Sequence, residues 1–157
     1  MHFVVALYRR IVDRLRAVDW IALLVGRLAV GLLFLSTGWG KVHDLGKVAQ
    51  FFEKLGIPAP AFHATLVGYS ELICGALLVL GLLTRLATIP LAISMIVAIL
   101  TAKRPDLHGL FDLVGFDEFT YLCVLVMIAI LGPGAASLDA VLARKIGGGA
   151  RAEPLRS

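Results

Sequence analysis

The sequence predicts an all-α membrane protein, a bundle of four transmembrane helices, and two observations support that prediction. Of the 157 residues, 59% are hydrophobic and 17% are charged, whereas a typical soluble domain is nearer half apolar and a quarter charged. The apolar residues also gather in four runs, at about residues 20–39, 64–83, 86–102 and 117–131. The core of a soluble domain this small cannot bury so much apolar surface, so we expect a bilayer to cover it.

Each run is expected to form one helix of the bundle. The first has about the 20 residues that a helix needs to cross a bilayer, and Trp20 and Trp39 at its ends fit the two interfacial belts. The second and third runs are separated only by residues 84–85, so they must be antiparallel neighbours. The fourth, at residues 117–131, is short for a span, and we include it because Phe116 and the loop before it can extend it.

Three shorter amphipathic helices are predicted at the membrane surface. Residues 2–18 place apolar residues at helical spacing between four arginines, which is typical of a basic helix lying on the membrane. Asp44 is predicted to cap a helix in the first long connection, which we expect to act as a lid, and Ser137 to cap another near the C-terminus. We expect one domain over residues 1–146 and a disordered tail over 147–157. The apolar face of the lid helix carries Val48, Phe51, Phe52 and Leu55.

The basic residues predict how the bundle is oriented. The N-terminus, the turn at 84–85 and the C-terminus hold nine lysines and arginines, and the two long connections hold five. By the positive-inside rule both termini are expected in the cytoplasm. The net charge of +4 does not indicate a nucleic-acid partner, because the charges sit beside apolar runs and lack the interleaved aromatic residues of a base-stacking surface.

Glu71 is the one ionisable side chain in the second run, and the functional prediction starts from it. A carboxylate costs about 3 kcal/mol or more at the centre of a bilayer, so a cation, a proton, water or a ligand must offset that cost. Lys41 follows the first span on the same side, and Arg27 lies about 8 Å away along the membrane normal. We predict an outer-half polar pocket in which Glu71 is catalytic; an ion pair with Arg27 or Lys41 that only fixes helix register is the alternative.

Other polar residues are weaker candidates for ligand binding. With Arg27 and Lys41 we include His43, His108 and Glu118, which border the outer ends of the spans, although an ordinary interfacial position is the commoner explanation for each histidine. Neither a zinc site nor a disulfide framework is indicated, since Cys74 and Cys123 lack CxxC spacing, and their role is left open. Haem is not expected because no histidine lies deep in a span, and two isolated cysteines exclude an iron–sulfur cluster.

Five segments in this order resemble the DoxX family of small bacterial membrane proteins, over about residues 22–145. They are RLAVGLLFLSTGWGKV, LGIPAP, YSELICGALLVLGLLTRLAT, HGLF and GPGAASLDAVL. The resemblance implies a four-helix bundle in the bacterial inner membrane. It also implies either a quinone-reducing subunit or the membrane anchor of a redox-stress complex, working with a second polypeptide. The positions that match the polar pattern of the family are Arg27, Lys41, Glu71, Arg85, His108 and Glu118.

Three functions therefore remain open from the sequence. The first is a quinone-linked redox subunit, in which Glu71 with Lys41 or a histidine exchanges protons with the quinone. The second is a non-catalytic anchor or scaffold for a soluble oxidoreductase. The third is a binding or transport protein for a small lipophilic molecule. Whether the chain is itself an enzyme, and whether it forms a homo-oligomer, is not specified by these patterns.

Overall fold

The computed structural model describes residues 18–147, and every regular element in that range is helical, which confirms the all-α prediction. A 3-10 turn at Arg104–Asp106 separates the fourth and fifth α-helices. The predicted surface helix at residues 2–18 and the predicted tail at 147–157 lie almost wholly outside the described residues. The α-helices are α1 (Asp19–His43), α2 (Leu45–Lys54), α3 (Pro60–Leu80), α4 (Thr84–Thr101), α5 (Leu110–Gly115), α6 (Asp117–Leu131) and α7 (Leu138–Gly147).

Four of these helices form the bundle, in which α1 packs on α3, α4 packs on α6, and a short turn joins α3 to α4. Helices α1, α3 and α4 are each long and apolar enough to cross a membrane. Helix α6 has 15 residues and is about 22 Å long, shorter than the roughly 30 Å hydrocarbon layer, so the fourth crossing stays a prediction. The core between the helices contains Val30, Phe34, Leu78, Ala87, Leu91, Met95, Leu125 and Ile128.

The helix ends differ from the predicted spans in a way that matters for the site. Helix α1 continues to His43. Lys41 therefore lies in the last turn of α1, and not in the connection after the first span where the sequence predicts it. The apolar run ends before the helix does, because hydropathy indicates which residues face lipid and not where the helical hydrogen bonds stop. The helix itself ends at Asp44, which is also the N-cap of α2. Helix α3 ends at Leu80 because Gly81 adopts a left-handed φ of 67°, which closes the turn to α4.

Helices α1 and α3 touch through their backbones. A Cβ atom added to Gly75 would lie 2.5 Å from the Leu35 nitrogen, and one added to Gly38 would overlap the backbone of Leu72. Small residues at these two positions therefore let the two helices approach as closely as membrane helices do. Glu71 lies one turn before Gly75 on the same buried stripe of α3, so its side chain is held against α1.

The predicted lid helix is present as α2. The Asp44 side chain accepts a hydrogen bond from the Lys47 backbone N–H at 3.4 Å, which confirms it as the cap. Helix α2 packs across the start of α3. Its function as a lid stays a prediction, but its position over the end of the bundle is the one the sequence indicated.

At the opposite end of the bundle, α7 is fastened to the turn between α3 and α4. Ser137 caps α7 as predicted, accepting a hydrogen bond from the Ala140 N–H at 3.1 Å. The Asp139 carboxylate accepts hydrogen bonds from the backbone N–H groups of Leu83 at 2.8 Å and Thr84 at 3.0 Å. Partial burial alone would raise the pKa of Asp139, but these donors hold that pKa below its ordinary value. Asp139 thus caps α4 from a distant part of the chain.

Candidate functional site

Glu71 is buried and ion-paired between α1 and α3. Its side chain is only 1% exposed, and the Lys41 Nζ lies 2.6 Å from each of its two carboxylate oxygens. The pair forms because the last turn of α1 packs against Gly68 of α3. A Cβ atom added to Gly68 would lie 3.4 Å from the Lys41 side chain. A charged hydrogen-bond donor on both oxygens offsets the cost of removing the carboxylate from water.

Two hydroxyl groups complete the surroundings of the carboxylate. Thr37 Oγ1 donates to Oε2 at 3.1 Å, and Ser94 Oγ donates to Oε1 at 3.5 Å. The sequence reading missed both residues. Thr37 was detectable, because it lies four residues before Lys41 and so shares its helix face. Ser94 could also have been found, because α3 and α4 are antiparallel helices joined by the short 81–83 turn. Glu71 and Ser94 are about equally far from that turn and therefore lie at the same height in the bundle.

A cavity of about 720 Å³ adjoins this pair, between α3 and α4 and beneath α2. Lys41, Glu71, Ser70 and Ser94 form a polar floor, Lys47, His63 and Thr101 lie nearer the helix ends, and most of the surface between them is apolar. The volume lies within the range of small-molecule sites, and an apolar pocket with a few convergent polar groups is their usual form. The lining includes Val48, Phe51, Phe52 and Leu55 of α2, Leu66 and Val67 of α3, and Pro90, Ile93, Met95, Val97 and Ala98 of α4.

Arg27 does not contribute to this site. Its guanidinium donates to the carbonyl oxygens of Pro133 at 2.6 Å and Ala136 at 2.7 Å, and the side chain is 2% exposed. It lies fourteen residues before Lys41 on α1, about 21 Å away by the helical rise. Of the two cations considered as partners for Glu71, Lys41 is the one used, and Arg27 instead fastens the loop before α7 to the bundle.

The remaining candidates lie near the same end of the bundle but do not line the cavity. His43 is exposed, and its Nδ1 is hydrogen-bonded to the Trp39 carbonyl oxygen at 2.9 Å. His108 is exposed in the loop before α5, and its backbone N–H donates to Asp112. Glu118 is ion-paired with Lys103 at 3.6 Å. The histidine that does line the cavity is His63, in the first turn of α3.

Within residues 18–147 no group of three or more histidine, cysteine or acidic side chains could hold a metal ion. Cys74, partly buried on α3, and Cys123, exposed on α6, are both free thiols.

Comparison with known proteins places the chain in a family. The model of the DoxX family matches residues 22–104, more than half of the sequence. This chain belongs to the DoxX family. The matched part of this DoxX protein contains α1 to α4, and therefore Lys41, Glu71, both hydroxyl donors and the walls of the cavity.

Relatives of this DoxX protein are described chiefly as membrane proteins. It is 40% identical to the uncharacterized membrane protein Rv3486 of Mycobacterium tuberculosis, over 76% of this chain and 80% of the relative. It is 35% identical to the putative oxidoreductase CatD of Bacillus subtilis, over 76% and 85%. It is 28% identical to the inner membrane protein YqjF of Escherichia coli, over 83% and 99%. No solved structure matches the chain significantly. The DoxX protein is thus a membrane protein in contact with lipid.

Proposed function

We propose that this chain is the membrane subunit of a quinone-linked redox system and that the Lys41–Glu71 pair binds the quinone headgroup. The observation that supports the proposal most is the position of the pair at the floor of a largely apolar cavity of about 720 Å³. A quinone has two carbonyl acceptors on a flat ring and an apolar tail. A site with a few donors at one end and apolar walls matches that distribution.

Lys41 is suited to contact a carbonyl group. An ammonium group has three N–H donors, and the two carboxylate oxygens of Glu71 engage at most two of them. At least one donor is left, and the Lys41 side chain is 30% exposed and lines the cavity. Glu71 fixes the position of the ammonium, so the remaining N–H is held in place before the ligand arrives.

The proposed reaction requires two protons and two electrons to convert the quinone to the quinol. In this account the proton exchange with the headgroup takes place at Lys41 and Glu71, the titratable pair at the cavity floor. The electrons come from a second subunit or a soluble oxidoreductase that docks on the membrane protein. The name of the Bacillus subtilis relative, a putative oxidoreductase, supports redox chemistry in this family.

We further infer that the protein lies in a bacterial inner membrane with both termini in the cytoplasm. Two relatives are named inner membrane proteins, and nine lysines and arginines against five favour this orientation. The cavity and the Lys41–Glu71 pair lie at the end where α1 finishes and α3 begins, whereas the turn at 81–83 and α7 lie at the other. The site would then lie in the non-cytoplasmic half of the membrane.

A non-catalytic anchor for a soluble oxidoreductase is the second candidate, and one observation favours it. The carboxylate of Glu71 already accepts hydrogen bonds from Lys41, Thr37 and Ser94, as a purely structural ion pair would. In this role Lys41 and Glu71 fix the register of α1 on α3, and the cavity holds only lipid.

Quinone binding to the full chain in lipid nanodiscs separates the two functions. The probe is a decyl-tailed benzoquinone, and the variant is Lys41→Met combined with Glu71→Gln, which removes both charges together and leaves no buried charge unpaired. We expect binding to weaken about tenfold or more, because a hydrogen bond to a charged group contributes about 1.5–3 kcal/mol and about 1.4 kcal/mol corresponds to tenfold in affinity.

The matched control is Lys54→Met, which removes an exposed lysine of α2 that does not line the cavity. It should bind the probe like the unmodified protein. If the double variant also binds like the unmodified protein, the pair does not contact quinone and the anchoring role stands.

A further inference from the structure

We propose that the ligand enters the cavity sideways from the bilayer, through an opening between α3 and α4, and that its tail stays in that opening. This inference rests on the proposed function and names the class of ligand: an amphiphile dissolved in the membrane, with a hydrogen-bond-accepting headgroup and a long apolar tail. It also identifies the residues that select for the tail, which are Leu66 on α3 with Ile93 and Val97 on α4.

The three residues line the cavity and are exposed at the same time. Leu66 is 53% exposed, Ile93 is 55% and Val97 is 43%, although all three belong to the cavity lining. Exposed lining residues that face each other on two neighbouring helices mark the rim of an opening between those helices. The rim is apolar on both sides, so nothing on it hinders the passage of a hydrocarbon chain.

The depth of the rim decides what it faces. Val97 lies four residues and Ile93 eight residues before the end of α4 at Thr101, so they are about 6 Å and 12 Å into the helix by its rise. Leu66 is six residues, or about 9 Å, after the start of α3. Helices α3 and α4 are both long and apolar enough to span the membrane. At this depth the surroundings of an exposed side chain are acyl chains, and the opening faces lipid.

The water-facing end of the cavity is covered by α2. Val48, Phe51, Phe52 and Leu55 form its apolar roof, and the opening at the side is continuous with the polar floor, since Ser94 lies one residue from Ile93 and one turn from Val97. A headgroup on Lys41 and a tail between Leu66 and Val97 therefore fit one molecule. A second copy of the chain is a poorer occupant, because it would leave the polar floor unused.

The test compares a decyl-tailed benzoquinone with its tail-less parent on the full chain in nanodiscs. Val97→Trp places a bulky ring in the opening, and Leu100→Trp makes the same change on an exposed position of α4, 60% exposed and outside the cavity. Each variant is compared with the unmodified protein for one probe at a time, so that partition into lipid cancels. We expect Val97→Trp to weaken binding of the tailed probe at least tenfold and of the tail-less probe less than twofold, and Leu100→Trp to change neither.

Equal effects of Val97→Trp on the two probes, or no effect on either, would overturn lateral entry while leaving headgroup binding intact. Ile93→Trp repeats the test if the first variant folds poorly. Disulfide formation between two copies carrying Val97→Cys would also overturn it, since protein would then cover the opening. Failure of the proposed function has a different result: the unmodified protein binds neither probe, or the Lys41→Met, Glu71→Gln double variant binds both normally.

Discussion

At the scale of single residues, the protein resolves the problem of one carboxylate in a membrane helix by giving it three partners. Glu71 contacts the Lys41 ammonium and the Thr37 hydroxyl, both from α1, and the Ser94 hydroxyl from α4. The desolvation of a buried ion pair is costly, and it is compensated only when the geometry is good and the remaining lone pairs are satisfied. Since the Lys41 ammonium has three N–H donors, at least one of them is not engaged by Glu71.

This arrangement predicts strong coupling between Lys41 and Glu71 in stability. Lys41→Met should lower the free energy of unfolding by about 3–5 kcal/mol, because it leaves a buried charge unpaired. Glu71→Gln should cost less, since the Lys41 side chain is 30% exposed and lies in the last turn of α1, where its ammonium can shift toward the membrane interface. The double variant should be more stable than the sum of the two losses implies, as measured by denaturation in detergent.

The control for this cycle is again Lys54→Met, which should stay within about 0.5 kcal/mol of the unmodified protein. Additive losses at Lys41 and Glu71 would contradict the arrangement, because independent sites add and paired ones do not.

At the scale of elements, the position of the site depends on the contact between α1 and α3. Gly75 and Gly38 let the two backbones meet, and that contact brings Lys41 within reach of Glu71. Gly75→Ala should therefore destabilise the protein by about 1–3 kcal/mol through overpacking and should weaken quinone binding as well. Denaturation in detergent and the nanodisc binding assay measure the two effects.

Gly40→Ala is the matched control, since it lies in α1 where an added Cβ meets no atom within 4 Å. There we expect no loss, or a gain of up to about 1 kcal/mol from better helix propensity. Equal effects of the two substitutions would show that the close approach of α1 and α3 does not determine stability.

The elements also show which features a sequence can predict. Helix α2 with its Asp44 cap, and the Ser137 cap of α7, were predictable because a cap and an apolar stripe are local patterns. The sequence left two possible partners for Glu71, Arg27 and Lys41. It could not distinguish them, because the choice depends on where α1 ends. The role of Arg27 was not predictable, since its acceptors are carbonyl oxygens at Pro133 and Ala136, more than one hundred residues away.

At the scale of the whole molecule, the two ends of the bundle differ in construction. At one end Arg27 and Asp139 fasten the 132–137 loop, α7 and the α3–α4 turn together by charged hydrogen bonds. At the other end α3 and α4 separate around a cavity that α2 covers. The bundle therefore joins a closed end to an end with room for a ligand, which in our proposal enters from the side of the membrane.

The most direct test of this account is to map where a quinone binds. A photoreactive benzoquinone is crosslinked to the full chain in nanodiscs, and the labelled peptides are identified by mass spectrometry. We predict labels concentrated in residues 47–57, 63–71 and 93–102, which line the cavity, and their loss in the Lys41→Met, Glu71→Gln double variant. Labels spread over the lipid-facing surfaces of all helices, unchanged by that double substitution, would contradict the account.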